Sequence, residues 1–141
     1  MRIGPLAGDC AVYVWQGEVL AGPKGKGVAL GQGSSAIVER GGELEICGEG
    51  QVLLFSGAGD SASARVGAKV HLLPASRVPR ILAEPGSGGV SGGLHADSAC
   101  PTCTVWLHEN HFPAAMDLSA EQAERGIHSH TEDEIIFVID G

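Results

Sequence analysis

Val28–Ser56 reads VALGQGSSAIVERGGELEICGEGQVLLFS, and this stretch decides the fold class. Short apolar runs alternate with glycine turns at Gly31-Gln32-Gly33, Gly41-Gly42 and Gly48-Glu49-Gly50. β-branched and other apolar side chains suit a pleated, half-buried surface, and glycine takes the backbone angles that tight turns demand. Val28–Leu30, Ala36–Glu39, Glu43–Cys47 and Gln51–Ser56 are therefore predicted strands.

The same pattern extends outward in both directions. Ala11–Trp15 precedes it, and Lys69–Leu73, Val78–Leu82, Cys103–His108 and Glu134–Ile139 follow. One helix of about two turns is expected from Ser119 to Arg125, opened by the capping-box pattern Ser119-Ala120-Glu121-Gln122 and closed by Gly126. Many short strands with glycine turns predict an all-β sandwich or barrel. Pro85–Gly93 is linker-like, which divides the chain into residues 1–84 and 94–141.

Composition supports a packed domain. Of 141 residues, 43% are hydrophobic and 18% charged, enough apolar side chains for a core. The net charge of −8 argues against nucleic acid or an anionic membrane surface as partner, because a phosphate backbone needs a basic face. Val52–Phe55 and Ile135–Ile139, the longest apolar runs, fall far short of the ~20 residues that a helix needs to cross a bilayer. Met1–Pro5 has no apolar core of a signal peptide, so a cytoplasmic protein with Cys10, Cys47, Cys100 and Cys103 as reduced thiols is expected.

Chemistry concentrates in Gly126–Gly141, GIHSHTEDEIIFVIDG. His128 and His130 are two positions apart, so an extended chain presents both imidazoles to one side. Glu134 opens the following apolar run and can bring a carboxylate to the same space. Two neutral imidazoles and one carboxylate suit a divalent transition metal and leave coordination positions open for water, O₂ or substrate.

The pattern His128, His130, Glu134, Gly141 resembles the first conserved motif of the cupin superfamily, His-x-His-x-x-x-Glu followed by six residues and Gly. Gln122 stands where that motif usually opens with Gly. Gly67–Arg80, GAKVHLLPASRVPR, is similar to a degraded second motif, with Pro79 or Arg80 in the place of its His. The resemblance implies a cupin-type jelly-roll β-barrel, with a degenerate N-terminal copy in residues 1–84 and the first half of a metal-binding copy in 94–141. It implies His128, His130 and Glu134 as ligands of one divalent ion (Fe, Mn, Ni, Cu or Zn) and a further motif beyond Gly141, so that the chain is expected to be part of a longer protein.

Other residues carry weaker signals. Cys100-Pro101-Thr102-Cys103, with His108 and with His95 and His111 nearby, is a possible zinc or thiol site, but a strand would not turn all of these one way. Reduced thiols or a local disulfide are the plainer readings. Trp106 is expected in the core or on the wall of a substrate pocket, and His71 as a packed or edge histidine. Gly22-Pro23-Lys24-Gly25-Lys26-Gly27 lacks the order of a phosphate-binding loop and reads as a solvated turn.

The expected function is a metal-dependent cupin enzyme, oxygenase-like or an isomerase or lyase, acting on a small organic molecule. A non-catalytic ligand-binding or sensory module is the alternative, since fold alone does not separate the two. The apolar strand Glu134–Ile139 would leave an open edge, so homo-oligomerisation through strand exchange is also expected.

Overall fold

The computed structural model describes residues 1–56, 68–82, 89–97, 102–114 and 135–140. Within them the chain is all-β and antiparallel. The strands are β1 (Arg2–Ile3), β2 (Cys10–Gln16), β3 (Glu18–Gly22), β4 (Val28–Gly31), β5 (Ser35–Val38), β6 (Leu44–Gly48), β7 (Gln51–Ser56), β8 (Val70–Leu73), β9 (Arg80–Ile81), β10 (Ser91–Ala96) and β11 (Leu107–His111). They form three sheets, ordered β1-β6-β3-β4, β7-β2-β5-β8 and β11-β10-β9, and among the described residues none closes into a barrel.

Alternation along the strands of the β7-β2-β5-β8 sheet explains the layering. Cys10, Val12 and Val14 of β2, and Ala36 and Val38 of β5, join Val19, Ala21, Leu30, Leu44 and Ile46 from the β1-β6-β3-β4 sheet in one buried core. The intervening Ala11 and Ile37 point the other way, into a second core with Ala96 of β10, Phe55, Val105 and Leu107. The β7-β2-β5-β8 sheet is thus the middle layer, covered on both faces, which is why Cys10–Val14 is buried at every position. Fully burying a side chain such as Leu30 or Leu44 stabilises the fold by about 1.5–3 kcal/mol.

Several expectations are met and several corrected. β7 has its predicted bounds, and β5, β6 and β8 lie within a residue or two of theirs. Of the predicted strand Val78–Leu82 only the two-residue β9 forms, after a 3-10 turn at Ala75–Arg77, since Pro79 has no N–H to offer a ladder. β11 begins at Leu107 rather than Cys103. Ser91, Gly92 and Gly93, read as the end of a linker, belong to β10. Residues 135–140 contain no strand, and Ile135, Ile136 and Val138 are more than 70% exposed. Among the described residues no strand pairs with this run, so its apolar side chains have no layer to pack on. The helix expected at Ser119–Arg125 lies outside the described residues. No helix among the described residues is long and apolar enough to cross a membrane.

Candidate metal centre

Among the described residues, two polar groups gather on one face of the middle sheet. Ile37 faces the second core, and Glu39, two residues on, shares that side. In the β5–β8 ladder Ile37 lies opposite His71, and opposed residues share a face, so the imidazole comes to the carboxylate. His71 Nε2 is 2.7 Å from Glu39 Oε1. Thr102 donates its hydroxyl to the same oxygen at 2.6 Å. Cys103 completes a group in which one ligand atom each from Glu39, His71 and Cys103 lies within 4.8 Å of the others.

Burial differs sharply across the group. The Glu39 side chain is 1% exposed and that of His71 42%. Glu39 Oε2 is buried and accepts no hydrogen bond, a state that costs about 1–3 kcal/mol or more for a charged group. Burial alone raises the Glu39 carboxyl, but the interactions with Thr102, His71 and the Lys69 backbone outweigh it and hold the group below its ordinary value. The carboxylate is therefore kept ionised with one oxygen unengaged, the electronic state of a ligand for a cation.

Cys103 qualifies this picture. Its sulfur is in a disulfide, whereas Cys10 and Cys47 are free thiols. This corrects, at Cys103, the expectation of reduced thiols; Cys100 lies outside the described residues. With Cys103 oxidised, only the carboxylate and the imidazole are present as strong donors, since thiolate rather than disulfide sulfur ligates metals well.

The segment carrying Thr102 and Cys103 is tied down by Asp9. Its Oδ2 accepts from the Thr104 backbone N–H at 2.6 Å and from the Thr104 hydroxyl at 3.1 Å, and its Oδ1 accepts from the Arg40 N–H at 2.7 Å. One side chain thus holds both the residue after Glu39 and the residue after Cys103.

A second polar group lies further along the same face. His95 of β10 meets Ser35 Oγ through Nδ1 at 2.9 Å and Glu109 Oε2 through Nε2 at 3.3 Å. Glu109 Oε1 is 2.6 Å from His111 Nε2, and the Tyr13 ring packs edge-on against His95. Ser, His and Glu in series suggest a hydrolytic relay, but Ser35 is 0% exposed and no substrate carbonyl can reach its hydroxyl. The group satisfies buried polar atoms instead. Burial pushes the Tyr13 hydroxyl up to about 12, with the Glu109 charge adding to it.

The sequence-derived site residues fare differently. His128, His130, Glu134 and Cys100 lie outside the described residues. His108 is on β11 opposite Leu94, and the group that includes Cys103 contains Glu39 and His71 rather than His108. Trp106 is 53% exposed and lies in the irregular segment before β11. His71 is indeed on an edge strand, but as part of the candidate metal group. Glu39 drew no notice in the sequence. The available signal was its alternation with Ile37, a polar residue on an inward face.

Comparison with family models, with curated proteins and with solved structures finds no match to this chain.

Proposed function

We propose that this chain is a divalent-metal-binding β protein of cupin type that acts on a small organic molecule. One observation carries the metal-binding part: a buried carboxylate, one oxygen of which accepts no hydrogen bond, lies beside an imidazole and a cysteine sulfur, with one ligand atom of each within 4.8 Å of the others. With Cys103 reduced, such a mixed oxygen, nitrogen and sulfur set would suit a borderline cation of the zinc class better than Mg or Ca, which prefer oxygen alone.

The cupin part rests on sequence. The spacing of His128, His130, Glu134 and Gly141 supports it, and the antiparallel all-β layering agrees with it. In this reading those two imidazoles and the Glu134 carboxylate hold a second ion with open positions. That ion would supply Lewis-acid or redox chemistry to a bound substrate.

Metal analysis after metal-supplemented expression separates the two sets. Full-length protein is expected to retain divalent metal, to lose one share in His128→Ala/His130→Ala and another in His71→Ala. Protein that holds no metal contradicts the proposal. O₂ uptake with a panel of small acids and phenols then tests for turnover; binding without chemical change favours the ligand-binding module.

A further inference from the structure

We infer that Glu39, His71 and Cys103 form a redox-gated site for a zinc-class cation, closed while Cys103 is in its disulfide and opened by reduction. The inference rests on reading this group as a metal site and adds the control of its occupancy.

Three observations carry it. Cys103 Sγ is within 4.8 Å of the Glu39 and His71 donor atoms, although it is already committed to a disulfide. Glu39 is 1% exposed and its Oε2 has no partner, so a ligand atom is held in place without a ligand. His71 sits on the edge strand β8 with its side chain 42% exposed, so it can move and the remaining coordination position can face water.

The geometry needs only a small adjustment. His71 Nε2 and Glu39 Oε1 are 2.7 Å apart because a proton lies between them. A tetrahedral zinc-class ion with bonds of about 2.0 Å holds such donors about 3.3 Å apart. An exposed imidazole on an edge strand can open that gap by a side-chain rotation, without moving the buried carboxylate.

The chemistry balances with a small dithiol as reductant. The dithiol gives two electrons and two protons, the sulfur–sulfur bond at Cys103 breaks, two thiols form, and the dithiol closes to its own disulfide. Cation binding then releases the Cys103 thiol proton to solvent, while neutral His71 ligates through Nε2 with its ring proton on Nδ1. The neutral disulfide sulfur is thereby replaced by an anionic third donor, which raises affinity and selects a thiophilic ion.

The test is a Co²⁺ titration of the full, metal-stripped chain in oxidised and dithiol-reduced forms, with disulfide state confirmed by mass spectrometry. Reduced protein is expected to show a thiolate-to-cobalt charge-transfer band and to bind about 100-fold more tightly than oxidised protein. Zn²⁺ should displace the cobalt. Reduced Cys103→Ser and His71→Ala should both lose the band, with circular dichroism confirming that each variant is folded, and His71→Gln, which keeps a donor for the buried Glu39, should lose it too. Equal affinity in both redox states overturns the gate while leaving a metal site standing. No binding in either state overturns both. A band that survives in Cys103→Ser places the ion on another thiol, and one that survives unchanged in His71→Ala removes the imidazole from the ligand set; either overturns the inference.

Discussion

Asp9 grips Thr104 twice, through the backbone N–H at 2.6 Å and the hydroxyl at 3.1 Å, across 95 positions of sequence. Its other oxygen takes the Arg40 N–H at 2.7 Å, so this buried carboxylate joins the end of β5 to the segment that delivers Thr102 and Cys103. Removing it strands two backbone donors. Asp9→Ala is expected to lose about 3 kcal/mol of stability, read as a lower urea midpoint at unchanged slope. It should also weaken metal binding, because Cys103 is no longer held against Glu39. A loss below about 0.5 kcal/mol would mean that the clamp is not what fixes this segment.

The His95–Glu109 pair makes stability fall in acid. Burial holds His95 below its ordinary 6.5 against the opposing pull of Glu109. The unfolded chain therefore takes up that proton first, and stability declines as pH drops below 6.5. Burial raises Glu109, but hydrogen bonds from His111 and His95 outweigh it and hold the group below its ordinary 4.5, so its contribution, present above 4.5, is lost as pH falls through the lower folded value. Urea midpoints measured from neutral pH to about pH 5 should fall, and His95→Gln should flatten the upper part of that slope. An unchanged slope in the variant would assign the acid sensitivity elsewhere.

Cys10 and Cys47 are both free but should differ in reactivity. Cys10 is 0% exposed, and burial, with Asp9 next in effect, pushes its thiol up to about 11. Cys47 is exposed. Alkylation under native conditions should label Cys47 within minutes and Cys10 only on unfolding. Equal labelling would mean that the middle sheet opens readily.

Gly92 and Gly31 offer a paired test of close approach. A Cβ at Gly92 would fall 1.8 Å from the Glu109 backbone oxygen, so Gly92→Ala must break the β10–β11 ladder. A loss of about 3 kcal/mol or more is expected. A Cβ at Gly31 meets nothing within 4 Å, and Gly31→Ala should stay within about 1 kcal/mol of the original protein. Equal effects would remove the steric account.

Those glycines show why the fold was only partly legible. β5, β6, β7 and β8 are mostly apolar runs bounded by turn residues, a signal carried by neighbours in sequence. β10 reads SGGLHA, where glycine lowers strand propensity and mimics a linker. Gly92 is required by the Glu109 backbone across the ladder and Gly93 by the Val78 side chain, contacts no local pattern displays. The Ile135–Ile139 run shows the converse: β-branched composition without a partner strand among the described residues gives no strand.

The candidate site was less legible still. Glu39 and His71 meet through the β5–β8 register, and Thr102 is 63 positions from the carboxylate it donates to. Metal-site patterns that can be read from sequence depend on short spacings such as His128-x-His130, whereas this group is assembled by layering.

Anomalous diffraction at the zinc edge, from crystals of reduced full-length protein grown with zinc, tests the central claim most directly. The account predicts a peak about 2.0–2.3 Å from a Glu39 oxygen, His71 Nε2 and Cys103 Sγ. Density confined to other residues, with His71 still hydrogen-bonded to Glu39, would contradict it.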